Sequence, residues 1–377
     1  MTNRLLSTLL PTLLLVAAAT PSAAEEDRYL ATAEGLALFF TGQQLVGSPV
    51  VLAIVRQPAN GSLSGTLGGA FVYTPDPDFV GVDQFGLEVI TGPQTPGGAE
   101  VDVFMTVSPA RMPVAGDWNG DAATELGHYD SDEMELFLYE KNIPNTPWFG
   151  YVPAGAGPGW RPFGGDWDGD GFDEIGFYDP STGVFHLFLL PPDPVPPEVG
   201  FNLLVPYIAV PGSPLGAGEI PIAGDWSGDG GEDGIGLFVP GPPAEFYLWQ
   251  DLDDFPFETS FIVTAPGTDP VASDWDGDGM ETVGLYDPAT GDFYLLKDHV
   301  QGPGDQIRTV IGAGGLERLP VAGHWFKDGN PKASIGLCDA TVPVIALYDE
   351  GPRWLIDPVV EVYPSPPPPR PVGWKGD

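Results

Sequence analysis

The stretch Gly-Asp-Trp-Asp-Gly-Asp-Gly at residues 165–171 occurs in four similar copies, each placed after a short apolar segment. The other copies begin at Gly116, Gly224 and Ser273. A fifth, Gly-His-Trp-Phe-Lys-Asp-Gly at 323–329, keeps the frame but has lost most of the acidic residues. The residue before each tryptophan marks the repeat, and these markers recur roughly every 50 residues, a period typical of repeat architectures. The chain is therefore predicted to be a repeat protein.

Each repeat has the pattern of four short antiparallel strands. An apolar pair after proline precedes the acidic loop, and an alternating run such as 175–178 follows it. Asp-Pro-Ser-Thr-Gly at 179–183 predicts a tight turn, because proline presets φ and glycine accepts a positive φ. The run 184–188 is predicted to be the second strand of this hairpin, and segments such as 260–263 supply a less regular fourth strand. Five such repeats predict a five-bladed β-propeller over residues 110–355.

Two features of this propeller are left open by the pattern. The strand that closes the ring would come either from before residue 113 or from residues 359–363. One interval between markers is longer than the others because of a proline-rich insertion around residues 191–197, which is predicted to be a long surface loop.

The ends of the chain predict an exported protein. Residues 1–24 carry one positive charge at Arg4, an apolar run and small residues before a predicted cleavage after Ala24, as in a secretory signal. Elsewhere no segment is apolar enough to span a bilayer. Residues 356–377 form a proline-rich tail that is predicted to stay exposed. The expected location is outside the cell, at its surface or in the periplasm. The single cysteine, Cys338, is predicted to be a buried core thiol.

Residues 25–109 lack the repeat and read as short strands separated by turns, which suits a β-sandwich. The stretches 57–63, 71–75 and 79–85 resemble the bacterial Ig-like, cadherin-like domains of secreted and surface proteins. The predicted fold is therefore all-β, an N-terminal Ig-like β-sandwich followed by the five-bladed β-propeller.

The formal net charge of −39 opposes binding to nucleic acid and to anionic membranes. A generally acidic, salt-adapted surface would explain such a charge, and so would stoichiometric cation binding. The four acidic loops hold a disproportionate share of the 53 acidic residues and no lysine or arginine. This clustering favours cations as part of the explanation, although the remaining acidic residues still require an acidic surface.

Calcium prefers six to eight oxygen ligands, which loops supply from alternate positions. The spacing predicts about four calcium sites, and magnesium is disfavoured because it demands strict octahedral geometry. The predicted ligands are Asp117, Asn119, Asp121, the Ala123 carbonyl and Glu125; Asp166, Asp168, Asp170, the Phe172 carbonyl and Glu174; Asp225, Ser227, Asp229, the Gly231 carbonyl and Asp233; and Asp274, Asp276, Asp278 and Met280.

Two loops depart from this pattern. The fourth has Thr282 at the ninth position and its acidic residue at Glu281, which predicts weaker coordination or the use of water. The fifth keeps only Asp328, beside Lys332, and is predicted to be degenerate.

The repeats resemble the FG-GAP or VCBS family of calcium-loop propellers over residues 113 to about 350. That resemblance implies calcium on one face of the ring, where it stiffens the blades. It also implies adhesion or ligand recognition rather than catalysis.

No enzyme constellation stands out from the sequence. None of the four histidines adjoins a nucleophile motif, and the paired carboxylates belong mostly to the repeats. The tryptophans of the loop motif are predicted to pack between blades. The less regular Trp148, Trp160, Trp249 and Trp354 are candidates for a glycan or protein contact.

The expected function is adhesion or recognition of an extracellular protein or glycan, without catalysis. The alternatives are a carbohydrate-binding module of a polysaccharide-processing system and, more remotely, a propeller hydrolase.

Overall fold

The computed structural model describes residues 28–33, 37–41, 45, 51–65, 70–76, 79–90, 96–109, 111–131, 133–139, 148–157, 159–190, 202–211, 218–241, 243–252, 259–265, 267–299, 306–309, 318–325, 331–339, 344–347 and 360–362. The predicted signal at 1–24 lies outside these residues, and so does the predicted tail apart from 360–362. The secondary-structure elements listed below are all strands, so the predicted all-β class is confirmed.

The N-terminal region forms two sheets that face a common core. Its strands are β1 (Arg28–Ala33), β2 (Leu38–Thr41), β3 (Leu52–Arg56), β4 (Gly61–Gly65), β5 (Ala70–Pro75), β6 (Gly81–Ile90) and β7 (Pro96–Ser108). One sheet has the order β1-β7-β6-β3 and the other β2-β5-β4, with β1 parallel to β7. Alternate residues of β7, Val103, Met105 and Val107, are fully buried, as expected for strands with one face on a core.

The rest of the described chain forms five sheets, one for each sequence repeat. The strands are β8 (Arg111–Gly116), β9 (Glu125–Asp130), β10 (Glu135–Tyr139), β11 (Trp148–Pro153), β12 (Arg161–Gly165), β13 (Glu174–Asp179), β14 (Val184–Phe188), β15 (Asn202–Leu204), β16 (Ile208–Pro211), β17 (Ile220–Gly224), β18 (Gly234–Val239), β19 (Ala244–Trp249), β20 (Thr259–Val263), β21 (Asp269–Ser273), β22 (Thr282–Asp287), β23 (Asp292–Leu295), β24 (Gln306–Thr309), β25 (Arg318–Gly323), β26 (Ser334–Asp339), β27 (Val344–Leu347) and β28 (Val360–Val362).

Each repeat supplies four antiparallel strands in chain order, as predicted, for example β17-β18-β19-β20. The predicted turn at 179–183 joins β13 to β14, and Gly183 there has a φ of +67°. The proline-rich insertion predicted around residues 191–197 lies outside the described residues. After it, β15 pairs in parallel with β11 of the first repeat, a contact that the sequence did not predict.

Apolar clusters join every sheet to the next. Each cluster combines a first-strand residue of one repeat with a second-strand residue of its neighbour: Val114 with Ile175, Phe163 with Ile235, Ile222 with Val283, Val271 with Ile335, and Val321 with Leu126. The last pair links the fifth repeat to the first. The first strands follow the same order, because β8 contacts β12, β12 contacts β17, β17 contacts β21, β21 contacts β25, and β25 contacts β8.

The loop tryptophans belong to these clusters, as predicted. Trp167, Trp226, Trp275 and Trp325 are buried, and Trp118 packs against the first cluster. Cys338 is buried, also as predicted.

Two of the candidate contact tryptophans are placed differently from the expectation. Trp160 and Trp249 are 7% and 1% exposed and pack in the core, so neither offers a face to a ligand. Trp354 and the side chain of Trp148 lie outside the described residues.

Candidate metal loops

The acidic loops connect the first strand of each repeat to the second. Loop one spans 117–124, loop two 166–173, loop three 225–233 and loop four 274–281. Loop three is one residue longer than the other three. Every loop contains glycines with positive φ, listed here as Gly120, Gly169, Gly171, Gly228, Gly230, Gly277 and Gly279. Such φ values let the backbone wrap towards a common centre without a steric penalty.

The first aspartate of each loop organises the loop backbone. In loop two, Asp166 Oδ1 accepts the N–H groups of Gly169 (2.7 Å) and Asp170 (3.2 Å), and its Oδ2 accepts that of Gly171 (2.8 Å). Asp117, Asp225 and Asp274 play the same role in their loops. The backbone amides are thus satisfied by a charged acceptor, which makes for a strong hydrogen bond.

A second contact recurs at the fifth position of each loop. The carboxylate there accepts the N–H of the residue two places later, whose carbonyl is one of the predicted ligands. These pairs are Asp121 with Ala123 (3.1 Å), Asp170 with Phe172 (3.0 Å), Asp229 with Gly231 (2.9 Å) and Asp278 with Met280 (3.0 Å).

Carboxylate oxygens converge in two of the loops. Asp166, Asp168 and Glu174 offer oxygens that lie within 4.8 Å of one another, and a second group consists of Asp274, Asp276 and Asp278. Among the described residues, the predicted acidic ligands of loops one and three form no such group. The structure therefore brings together the predicted carboxylates of loops two and four more closely than those of loops one and three.

Glu174 is buried and lies close to the aspartates of loop two. It is 4% exposed, and its Oε2 accepts the N–H of Trp167 at 3.2 Å. Burial, together with the charges of Asp168, Asp166 and Asp170, raises the pKa of Glu174 to about 8. A carboxylate that is both desolvated and surrounded by like charge resists ionisation unless a cation or proton compensates it.

Loop three departs from the predicted ligand set because of its extra residue. Gly234 opens β18 at the place where Glu174 opens β13 and Glu125 opens β9. Asp233, predicted as a ligand of its own loop, lies one residue earlier. Its carboxylate accepts the N–H of Asp166 in the second repeat at 2.9 Å.

Loop four has a nearby cation, and the residue that opens the strand after it, Thr282, is not acidic. Lys297 Nζ lies 3.3 Å from Asp276 Oδ2. The Thr282 hydroxyl donates to the Leu296 carbonyl at 2.7 Å, so the position predicted to be weak is engaged by the backbone. Glu281 Oε2 accepts the N–H of Asp225 in the third repeat (3.2 Å).

Loop one shows one strained residue. Ala122, at the position of Gly171 in loop two, has a φ of +65°, a conformation that side chains disfavour. Glu125 is 3% exposed at the start of β9, and burial raises the pKa of Asp117. In the fifth repeat, His324 donates its backbone N–H to Thr124 Oγ1 at 2.8 Å, whereas Phe326 and Asp328 lie outside the described residues.

Sequence reasoning missed a second role for the acidic residues at the ends of the loops. Asp173, Asp233 and Glu281 each accept the N–H of the first aspartate in the preceding repeat. All three stand directly before the second strand of their repeat. Counting back from that strand, instead of forward from the first aspartate, would have aligned them.

Another charged group lies at the opposite, N-terminal ends of the first strands. Arg161 interacts with the charges of Asp269 and Glu219, although no carboxylate in the described part of the chain comes within 4.0 Å of it. Burial raises the pKa of Asp269 to about 6. Sequence reasoning did not single out these residues because they belong to different repeats.

A cavity of about 190 Å³ opens beside loop three, lined by Trp226, Ser227, Leu248, Gln250, Thr259 and His299. Its polar groups are largely committed to the loop. Gln250 accepts the N–H of Ser227 (3.1 Å) and donates to the Glu232 carbonyl (2.8 Å), and the Trp226 indole donates to Ile235. The Gln250 and Trp226 side chains that line the cavity therefore hold the backbone of loop three and of the strand that follows it.

Comparison with known proteins identifies the N-terminal region. Residues 17–104 match the family of bacterial Ig domains, which confirms the Ig-like part of the predicted fold. The first residues of this match overlap the predicted signal. A search of the curated proteins found no match to the chain. Among the described residues, no helix has the length and apolar character that crossing a bilayer requires.

Proposed function

We propose that the repeats form a calcium-stabilised five-bladed β-propeller of the FG-GAP or VCBS type. In this proposal an exported protein carries the propeller behind its Ig-like domain and uses it for adhesion or extracellular recognition. The protein binds its partner, an extracellular protein or a glycan, without catalysing a reaction.

The propeller is supported by the order of contacts between repeats. Five four-stranded units pack face to face, and the apolar cluster around Val321 and Leu126 joins the last unit to the first. Two hydrogen bonds between Thr124 and His324 span the same boundary. β28 pairs with β27 of the fifth repeat, which favours residues 359–363 over the N-terminal region as the source of the strand that would close the ring.

Calcium binding is carried by one observation, the convergence of Asp166, Asp168 and Glu174 around a loop whose backbone is already wrapped. A donor set made of oxygens alone fits calcium better than zinc, and magnesium keeps several of its waters rather than taking a set of protein ligands. When bound, the ion would supply the positive charge that these carboxylates lack. Asp170 and the Phe172 carbonyl would complete the set in loop two, and loop four would hold its ion with Asp274, Asp276 and Asp278.

The way the acidic residues are used supports a non-catalytic role. In the described loops each first aspartate accepts several backbone N–H groups, and the acidic residues at the loop ends bind the neighbouring repeat. Carboxylates committed in this way stabilise a scaffold. The burial of Trp160 and Trp249 also removes two surfaces on which a sugar could stack, which leaves a protein partner as the favoured ligand.

The test is thermal unfolding in calcium, in magnesium and in chelator. An ion present at about 100 times its dissociation constant stabilises by roughly 2.7 kcal/mol. For a domain of this size each kcal/mol raises Tm by about 2–4 °C. We therefore expect calcium to raise Tm by at least 5 °C at one occupied site, with a smaller effect of magnesium.

A matched pair of variants assigns the effect to loop two. Asp168→Asn should lower the calcium-dependent shift. Asp76→Asn removes the same charge from an exposed position in the N-terminal region and should leave the shift unchanged. Identical melting curves of the unaltered protein in calcium and in chelator would refute calcium binding. A separate experiment addresses the partner. A glycan array and a binding screen against extracellular proteins would distinguish a glycan from a protein ligand.

A further inference from the structure

Successive repeats are joined at the loops by a repeated pair of hydrogen bonds. The last loop residue of one repeat donates its backbone N–H to the carbonyl of the first loop residue in the preceding repeat, and its side chain accepts the N–H of that same residue. The pairs, with the two distances in this order, are Asp173 with Asp117 (3.0 and 2.7 Å), Asp233 with Asp166 (2.7 and 2.9 Å), Glu281 with Asp225 (3.0 and 3.2 Å) and Thr124 with His324 (2.8 and 2.8 Å). We call Asp173, Asp233 and Glu281 the seam carboxylates.

Each seam carboxylate fixes a residue on which a whole loop depends. Asp233 holds the backbone of Asp166 on both its N–H and its carbonyl side. The side chain of Asp166 in turn accepts the N–H groups of Gly169 and Gly171 and joins the convergent group with Asp168. A residue of loop three therefore sets the position of the first residue of loop two.

We propose that the seam carboxylates are positioning residues that couple the loops in series, so that ordering one loop raises the ion affinity of the loop in the preceding repeat. This inference rests on the calcium binding proposed above. It assigns to Asp233 and Glu281 a role in the neighbouring loop in place of a role in their own.

The coupling has a direction and one weak link. Loop four supports loop three through Glu281, loop three supports loop two through Asp233, and loop two supports loop one through Asp173. In the fifth repeat the corresponding residue is Ala333, which donates its backbone N–H to the Asp274 carbonyl (2.8 Å) but whose side chain carries no acceptor for the Asp274 N–H. No seam carboxylate therefore stands at this position in the described part of the fifth repeat.

The geometry also explains why a carboxylate is tolerated at this place. The Asp166 N–H, buried at the seam, requires an acceptor, since an unsatisfied buried amide is costly. An asparagine or glutamine could still accept the bond through its amide oxygen, whereas an alanine could not.

Hydrogen exchange measured by mass spectrometry on the full-length protein tests the coupling, because it reports on each loop separately. Protection of peptides covering 166–173 and 225–232 would be titrated with calcium in the unaltered protein, in Asp233→Ala and in Asp233→Asn. For Asp233→Ala we expect the calcium midpoint of loop two to rise about tenfold, the size of effect associated with leaving one buried N–H without an acceptor. The midpoint of loop three should not change, and Asp233→Asn should restore loop two.

The other outcomes each overturn a defined statement. If both variants raise the midpoint of loop three and spare loop two, Asp233 is a ligand of its own loop and the coupling is wrong. If Asp233→Ala raises exchange of loop two equally with and without calcium and leaves its midpoint unchanged, the seam is structural only. If no loop of the unaltered protein responds to calcium, the proposed function fails and the coupling fails with it.

A second pair of variants tests the coupling independently if Asp233→Ala does not fold. Glu281→Ala should raise the midpoint of loop three, with Glu281→Gln as the conservative partner, and should spare loop four. The same denaturation curve for the alanine and amide variants would show that the fold is retained. A rise in the loop four midpoint with no change in loop three would contradict the proposed direction.

Discussion

Loops two and three begin with nearly the same residues and end differently. Both contain Gly-Asp-Trp-x-Gly-Asp-Gly, and in both the first aspartate gathers the same backbone amides. In loop two Glu174 opens the following strand and joins the convergent carboxylates, whereas in loop three Gly234 occupies that place. The difference teaches that strand register, not the count from the first aspartate, decides which residue faces the centre of the loop.

The tryptophan of each loop shows why Gly234 is needed. A Cβ atom on Gly234 would lie 2.6 Å from Trp226 Cδ1 and would collide with the Trp249 carbonyl oxygen. Trp226 can approach this closely because its indole N–H donates to the Ile235 carbonyl at 3.2 Å. Trp275 and Trp325, in the other repeats without a glutamate at this place, also bond to the backbone of the second strand. In loop two the Trp167 indole makes no such bond, and Glu174 occupies the space.

The largest expected effect comes from trying to make loop three resemble loop two. Gly234→Glu should destabilise the protein by about 3 kcal/mol or more, because its side chain must displace a buried tryptophan and a backbone carbonyl. It should not create a convergent carboxylate group. Urea denaturation measures the loss, and terbium luminescence excited through tryptophan reports on ion binding. A stable variant with added ion binding would break the comparison.

The next effect tests whether Glu174 is the residue that distinguishes loop two. Glu174→Gln should lower the calcium-dependent stabilisation by about 1.4 kcal/mol, which corresponds to a tenfold weaker site. In chelator the variant should be about as stable as the unaltered protein, because the Glu174 carboxyl, with a pKa of about 8, is largely protonated there and is replaced by another neutral group. Urea denaturation in calcium and in chelator measures both the calcium-dependent stabilisation and the stability without the ion.

Loop three supplies the matched control for this variant. Asp233→Asn removes one charge from the corresponding part of loop three while keeping the acceptor for Asp166. Its calcium-dependent stabilisation should stay within about 0.5 kcal/mol of the unaltered protein, as for a substitution that disturbs no buried contact. If Asp233→Asn lost as much as Glu174→Gln, the two loops would use their last acidic residue in the same way.

Much of the fold could be predicted because the same sequence pattern occurs in each of the five repeats. The strand alternation and the Asp-Pro turn at 179–183 indicate β-strands from local preferences alone, and the spacing of the tryptophans predicts their burial between sheets. The pairing of β15 with β11 could not be predicted in this way, since a strand of three residues carries no signal for a distant partner.

Only the contacts within a single loop of the candidate site could be predicted from the sequence. The first and fifth positions of each loop behave uniformly because their contacts lie within the same few residues. The seam carboxylates depend on how two repeats pack, and an acidic residue that faces its neighbour looks the same in sequence as one that faces its own loop. The extra residue in loop three moved Asp233 from one role to the other, which the forward count from Asp225 could not detect.

The smallest expected effect tests whether the wrapped backbone is common to loops two and three. Gly171→Ala and Gly230→Ala should each cost about 1 kcal/mol, because an added Cβ meets no atom within 4 Å and only the positive φ is penalised. Ala122→Gly in loop one should stabilise by a similar amount, since Ala122 already bears that penalty at a φ of +65°. Urea denaturation in chelator separates these backbone terms from ion binding. Unequal costs at Gly171 and Gly230 would mean that the two loops already differ before their last residues, and the contrast between Glu174 and Gly234 would then be a consequence of backbone shape rather than its cause.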